Sequence, residues 1–232
     1  MNFDLQTIIW AFLGGLLPVL VWLWFWLKED AKRPEPKRLL FAAFIAGAIA
    51  VPIALSLERI THEFLPSGFF LIVIWATIEE LLKYAGAYII AFRLICIDGS
   101  QCLDEPIDPL IYLITVALGF SAFENMLFLI TPLESGNVLA SILTGNLRFI
   151  GATLLHVLAS ASVGVAMGFA FYKKGLRKKI YLLVGLFTAI LLHTLFNFSI
   201  IIDEGKNIFI IFGFLWFGIF ALLLLFEKIK RI

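Results

Sequence analysis

Apart from residues near their ends, the long apolar runs of this 232-residue sequence contain six acidic or basic side chains and two asparagines. They are Glu79, Glu80, Lys83, Glu124, His156 and His193, together with Asn125 and Asn197. A charged side chain at the centre of a membrane span costs about 2.5–3.5 kcal/mol, so these groups must face protein or water rather than lipid. Carboxylates and imidazoles transfer protons and bind divalent metals. Side chains of these types indicate either water-dependent bond cleavage or proton-coupled transport.

The composition is that of an integral membrane protein. Hydrophobic residues make up 62% of the chain and charged residues 15%, and the mean hydropathy is +1.01. A soluble domain is far less apolar, so the lipid bilayer is the medium that surrounds this chain. The net charge of +1 predicts no nucleic-acid partner. Cys96 and Cys102 are too few for a disulfide framework.

Seven apolar runs are long enough to cross about 30 Å of hydrocarbon. With the N-terminus outside, fourteen of the 18 lysines and arginines fall on the cytoplasmic side, where positive charge is favoured. Only Arg59, Arg148 and Lys206 are then placed on the external side. The sequence therefore predicts a multi-pass protein of the cell membrane, with residues 1–232 forming one transmembrane domain. Its fold is all-α, a bundle of about seven transmembrane helices with the N-terminus outside and the C-terminus cytoplasmic. The runs cover residues 5–27, 39–57, 69–95, 109–131, 147–172, 180–202 and 208–226.

The acids and histidines recur at one depth within these runs. A count from the external end of each run, at about 1.5 Å per residue, places five groups roughly 10–17 Å below the external surface. They lie on four different helices, so residues that are distant in sequence are predicted to converge on one site. The five are Glu79, Glu80, Glu124, His156 and His193.

The third run contains the motif EELLK at 79–83. Glu79 and Glu80 lie about 100° apart on a helical wheel, and Lys83 falls between them. The lysine can compensate one carboxylate and leave the other with a different proton affinity, which produces an acid and a base from identical residues. The alternative is a structural ion pair within the bundle.

Single polar residues in the later runs have an alternative explanation, because each can simply bond a neighbouring helix. Glu124 and Asn125 are adjacent, and small residues such as Gly119 nearby permit close helix packing. His193 and Asn197 are one turn apart on one face, a spacing that suits two ligands, or a ligand and the group that orients it. The combination at one depth is more specific than any of its members.

At these residues the sequence resembles the PrsW family of intramembrane proteases, within a wider group that includes the CAAX-processing and bacteriocin-associated membrane proteases. The matching elements are EELLK at 79–83, DEPIDPLIYLITVALGFSAFEN at 104–125, His156 after a polar external loop, and HTLFN at 193–197. The resemblance covers about residues 69–200, so the catalytic helices are expected within 69–202. One departure is Pro109, where a small flexible residue is expected.

The resemblance implies hydrolysis of a peptide bond in or near the membrane segment of a membrane-anchored protein or peptide substrate. It carries the acid pair over to Glu79 and Glu80, within an element completed by Lys83, and the second-motif acid to Glu124. The catalytic or ligand histidines become His156 and His193, and the polar residue after the final histidine becomes Asn197.

Two versions of the chemistry stay open. In one, His156, His193 and Glu124 hold Zn²⁺ or another divalent metal, and the glutamate pair acts as the base. In the metal-free version, a glutamate is the base and a histidine or Asn197 stabilises the oxyanion. The rival classes are a proton- or ion-coupled transporter and a non-catalytic membrane scaffold. A retinal protein is excluded because the run 208–226 contains no lysine.

Overall fold

The fold is a helical bundle, described by a computed structural model for residues 4–29, 33–94, 103–203 and 207–232. Within these residues there is no β-strand. Two short π-helical segments continue helices of the bundle: residues Tyr88–Leu94 follow α3, and Arg148–Ala152 join α5 to α6. The α-helices are α1 (Leu5–Glu29), α2 (Lys37–Phe64), α3 (Phe69–Ala87), α4 (Asp108–Glu134), α5 (Val138–Leu147), α6 (Thr153–Phe169), α7 (Leu176–Asp203) and α8 (Ile208–Ile229).

In the part of the chain that the structure describes, helices occupy most of each of the seven predicted runs, so the all-α multi-pass fold is confirmed. Six helical stretches among these residues are long and apolar enough to cross a membrane, and α5, its π-helical segment and α6 count among them as one stretch, Val138–Phe169. The third run is not counted among these stretches because α3 carries three charged residues, Glu79, Glu80 and Lys83. The orientation of the termini stays a prediction from the charge asymmetry. Cys96 and Cys102 lie outside the described residues.

The segment between the fourth and fifth runs was predicted as a polar external loop, and this prediction is wrong. Residues Val138–Leu147 form α5, and the helix then continues through the π-helical segment into α6. The side chain of Asn137 accepts a hydrogen bond of 2.9 Å from the backbone N–H of Ala140, which caps the first turn. All of α5 is at least partly exposed, so this extra helix adds no core.

Helices α4 and α6 form the centre of the bundle. In their most apolar windows 67% and 72% of the residues are buried, the latter counted over Val138–Phe169, against 17–33% in α1, α2, α7 and α8. A helix that is apolar on all sides gains most from complete burial, whereas the outer helices can leave one side to the lipid. Polar side chains placed on α4 and α6 are therefore enclosed by protein.

Glycines allow the helices around α4 to approach closely. A methyl group added at Gly47 of α2 would overlap the carbonyl oxygen of Val116, and one added at Gly119 of α4 would overlap the carbonyl oxygen of Phe44. Small residues at such crossings let backbones touch, which is how transmembrane helices gain packing energy without a hydrophobic driving force. The predicted role of Gly119 in helix packing is thus confirmed.

The approach to α4 is compatible with the proline that departs from the family pattern. Pro109 lies in the first turn of α4, where a missing N–H leaves no intrahelical bond unmade. The Asp108 carboxylate accepts hydrogen bonds of 2.7 Å from the backbone N–H groups of Asp104 and Glu105. These bonds hold the preceding turn against the start of the helix.

Candidate active site

Helix α3 provides the acid pair and the lysine of the candidate site. Lys83 is fully buried, and its ammonium donates to Oε1 of Glu80 and to Nδ1 of His156, both at 2.7 Å. The same nitrogen lies 3.5 Å from Oε2 of Glu79 and 4.3 Å from the centre of the Phe120 ring. A buried ammonium is stable only among such partners. Lys83 therefore links the acid pair to the histidine of α6.

Helix α7 brings His193 to the same place. Its Nδ1 lies 2.8 Å from Oε1 of Glu80, and its ring centre is 5.0 Å from that of His156. A carboxylate only accepts hydrogen bonds, so this contact assigns the proton to Nδ1. Nε2 of His193 is then a lone-pair nitrogen, and it lies 3.8 Å from Oε2 of Glu79.

Residues of α4 and of the π-helical segment before α6 surround the second ring nitrogen of His156, Nε2. Nε2 of His156 lies 2.9 Å from Oε2 of Glu124, and the guanidinium of Arg148 donates to that same oxygen at 2.5 Å. Nε of Arg148 also donates to Oδ1 of Asn125 at 2.6 Å, and the guanidinium carbon lies 3.9 Å above the Phe128 ring. Glu124 therefore receives the imidazole N–H, while Nδ1 of His156 accepts from Lys83.

Glu79 differs from the other two carboxylates. Its Oε2 is buried and makes no hydrogen bond, although three nitrogens surround it at 3.5–4.0 Å. These are Nζ of Lys83, Nε2 of His193 and Nδ1 of His156. Leaving a buried carboxylate oxygen unbonded is costly, and separations of this length are those at which a third group lies between two polar atoms. The geometry thus leaves room for a water molecule or an ion beside Glu79.

Three of these residues could hold a metal ion. One donor atom each from Glu79, His156 and His193 lies within 4.8 Å of the others, and all three residues are buried. Nitrogen and carboxylate oxygen donors are those that zinc binds in catalytic sites, with distances of about 2.0–2.2 Å. Three cluster carboxylates face only two permanent cations, Lys83 and Arg148, so the charge also favours a bound cation. The residues present fit the metal.

The ligand group found in this geometry differs from the predicted one. The predicted set contained Glu124, but within the described residues the converging group contains Glu79 in its place. The physical reason is Arg148, which was placed in an external loop and counted only for topology. Its guanidinium occupies Oε2 of Glu124 together with His156. Glu124 therefore supports a histidine rather than joining the group around Glu79.

Asn197 is the predicted site residue that stands apart. It lies one turn beyond His193 and is half-buried, and it makes no hydrogen bond to any of the described cluster residues. Three further side chains belong to the cluster but were not predicted. The guanidinium of Arg148 donates to Glu124, and the hydroxyl of Ser160 donates to Glu80 at 3.3 Å. The hydroxyl of Thr153 accepts a hydrogen bond of 3.0 Å from the side-chain amide of Asn125. Ser160 follows His156 by one helical turn, which was the available signal for it.

Comparisons with known proteins identify the family and several relatives of this chain. The PrsW family intramembrane metalloprotease profile matches residues 35–225. Similar relatives include Protease PrsW of Halalkalibacterium halodurans, 24% identical over 87% of this chain and 88% of the relative. Protease PrsW of Clostridioides difficile is 28% identical over 83% of this chain and 79% of the relative. Protease PrsW of Bacillus subtilis is 27% identical over 89% of this chain and 91% of the relative.

No solved structure matches this chain. The profile match nonetheless covers most of the sequence, including every residue of the acid–histidine cluster. The chain is a multi-pass membrane protease and belongs to the PrsW family of intramembrane metalloproteases.

Proposed function

We propose that this chain is an endopeptidase that hydrolyses a peptide bond in or near the membrane segment of a membrane-anchored protein substrate. The observation that carries the proposal is that three glutamates and two histidines from α3, α4, α6 and α7 meet inside the bundle, all of them buried except the partly buried Glu124. Buried charge of this density is expensive in a membrane bundle, and it is retained at functional sites. The group contains the acids, bases and ligand atoms that water attack on a carbonyl requires.

Glu79 is the carboxylate that we assign to the attacking water. Glu80 receives Lys83, His193 and Ser160, and Glu124 receives Arg148 and His156. Hydrogen bonds donated to a carboxylate stabilise its charged form and make it a weaker proton acceptor. Oε2 of Glu79 receives none. Glu79 is therefore the best base among the three.

The proton balance follows from this assignment. Glu79 takes one proton from water as the water oxygen bonds to the scissile carbonyl carbon. The same proton then passes to the amide nitrogen as the C–N bond breaks, which leaves a carboxylic acid and an amine. Asn197 has a side-chain amide without a partner in the cluster, and we assign it to donate to the carbonyl oxygen that becomes negative.

The remaining polar residues position the two histidines. Glu80 holds Nδ1–H of His193, and the Arg148–Glu124 pair holds Nε2–H of His156. A second partner on a ligand histidine fixes its ring and its tautomer. Without a metal, Lys83 bonds both Glu80 and His156 and so maintains the spacing between the two rings. A metal bound at Nδ1 of His156 would take the place of the Lys83 ammonium there, and Lys83 would keep its bond to Glu80. These four residues are positioning residues in this proposal.

Glu79, His156 and His193 are the residues that would hold a divalent metal. When bound, such an ion polarises the carbonyl and acidifies a water molecule. In the metal-free alternative the same Glu79 accepts the proton, and the histidines and Asn197 stabilise the oxyanion. Both versions require Glu79, as a ligand in the first and as the base in the second, so the proposal does not depend on the choice between them.

Cleavage of single-span substrates by the reconstituted protein tests the proposal. Glu79→Gln keeps the shape of the side chain but removes the base, and we expect the rate to fall by about 10²–10⁴-fold. The matched control is Glu134→Gln, at the exposed end of α4, which should cleave at the wild-type rate. Equal cleavage by wild type and Glu79→Gln would refute the assignment.

The same proteoliposomes distinguish the transporter alternative. A panel of solutes is offered to vesicles that contain wild type or Glu79→Gln and no protein substrate. Uptake that depends on Glu79, in the absence of any cleavage, would replace the protease proposal with transport.

A further inference from the structure

A second concave feature lies on the side of α4 that faces α1 and α2. Both of these helices pack on α4 but scarcely touch each other, so a groove of about 710 Å³ opens between them. Its walls are apolar and include Leu16 and Leu20 of α1, Phe41 and Ala48 of α2 and Met126 of α4. Lys37 at the start of α2 is the one charged residue that lines it.

The groove is separated from the candidate active site by α4 itself. Its floor consists of Ala122, Phe123 and Met126. At 3.6 residues per turn, the centre of these three positions lies about 150° around the helix from Glu124. A chain that occupies the groove therefore cannot reach the acid–histidine cluster. The groove is not the path of a substrate to the catalytic residues.

The dimensions of the groove match a lipid chain better than a protein span. From Lys37 to Ala48 it runs about 17 Å along α2, and from Phe12 to Leu27 about 22 Å along α1. A transmembrane helix needs a contact surface over the full hydrocarbon thickness of about 30 Å, whereas an acyl chain extends through one leaflet of about 15 Å. The volume also falls within the range of about 300–1,000 Å³ that small-molecule sites occupy.

The charge at one end selects the type of lipid. Lys37 is exposed and forms no hydrogen bond or ion pair with any described residue. Its ammonium stands at the open end of an otherwise apolar groove, where a phosphate headgroup would complement it. We propose that this groove binds one acyl chain of an anionic phospholipid, with the headgroup at Lys37. The charge asymmetry of the sequence predicts that this end faces the cytoplasm, whose leaflet is rich in anionic lipid.

Native mass spectrometry of the full chain in mild detergent tests this site. The probe is an equimolar mixture of phosphatidylglycerol and phosphatidylcholine with identical acyl chains. We expect one retained phospholipid per protein, with phosphatidylglycerol preferred about fivefold, as one lysine near a headgroup predicts. Lys37→Gln should abolish the preference, and Ala48→Phe, which fills the groove, should abolish retention.

Matched changes elsewhere on the surface serve as controls. Lys178→Gln removes an exposed lysine at the start of α7, and Val184→Phe enlarges an exposed side chain on the lipid-facing side of that helix. Both should retain lipid as wild type does. If Ala48→Phe does not fold, the lipid ratio of Lys37→Gln still decides the question.

Four results would overturn the proposal. The first is a phosphatidylglycerol preference that Lys37→Gln leaves unchanged. If wild type retains the two lipids equally, the retained lipid is only annular lipid. The same conclusion follows if Ala48→Phe leaves the retention of lipid unchanged. Displacement of the lipid by a single-span substrate peptide would assign the groove to protein instead. None of these outcomes depends on proteolysis, so the lipid site and the proposed protease chemistry can fail independently.

Discussion

The two sides of α4 differ in what encloses them. On one side Glu124 and Asn125 are bonded by Arg148, His156 and Thr153, and α3 and α6 pack against α4. On the other side the floor of the groove is apolar and stays open between α1 and α2. Ionised groups need a protein partner on every side because lipid offers none, whereas an apolar surface can be left to the bilayer. The chemistry therefore lies where the bundle is closed.

The largest expected effect comes from the polar side, at His193. We expect His193→Ala to lower cleavage by more than about 100-fold and to reduce the bound metal measured in the purified protein, because it removes a donor of the Glu79 group. Leu195→Ala is the matched control, since Leu195 is two residues further along the same helix and is 48% exposed. Active wild type without stoichiometric metal would leave the metal-free version standing.

A smaller loss is expected when the support of His156 is weakened. Arg148→Gln leaves Glu124 without its guanidinium, and supporting residues of this kind change metal affinity or activity by about 10–100-fold. The reduction should appear in kcat rather than in KM, since Arg148 positions a residue and does not bind substrate in the proposal. Arg148→Lys should restore part of the rate. A variant that changes KM alone would identify Arg148 as a substrate contact.

Packing on the α2 side of α4 should affect stability more than chemistry. A methyl group at Gly119 would meet the backbone of Phe44, so Gly119→Ala should lower the free energy of unfolding by about 1–3 kcal/mol. Gly213→Ala on α8 has open space around it, and alanine there should stabilise the helix slightly. Reversible unfolding in mixed detergent measures both. Similar values for the two variants would mean that the α2–α4 crossing adjusts freely.

The smallest effect is expected in the wall of the groove. Met126→Leu conserves volume on a surface about 200° around α4 from Glu124, so cleavage should stay within about twofold of wild type. Rates are compared at equal concentrations of folded protein. A large loss from this change would show that the two sides of α4 are coupled and that the comparison drawn above is too simple.

The ion pair between Arg148 and Glu124 is a contact that the sequence did not predict. Arg148 was counted as an external loop charge because a polar segment was expected before residue 147. In the structure that segment is α5, and the π-helical turn that follows it directs the guanidinium onto Glu124 and Asn125. Helical periodicity assumes 3.6 residues per turn, so a π-helical segment changes which residues face inward. Hydropathy alone does not reveal such a turn.

The sequence also could not decide whether Glu79 or Glu124 belongs to the ligand group, because this too depends on contacts between helices. Their depths are similar, so a count along each helix could not separate them. Only the partners of each carboxylate distinguish the two, and those partners come from other helices. Lys83 was correctly placed beside the acid pair because its partners Glu79 and Glu80 are within one turn on the same helix.

The sequence by itself determined the membrane class, the all-α fold and the acids and histidines that meet in the cluster. Each of these follows from local information: the length of an apolar run, the cost of a charge within it, and the rise of about 1.5 Å per residue that sets depth. Tertiary structure decided which atoms face each other, which carboxylate stays unbonded, and which side of α4 is left open. Those features depend on the rotation and crossing of helices, which are fixed by packing between residues distant in sequence.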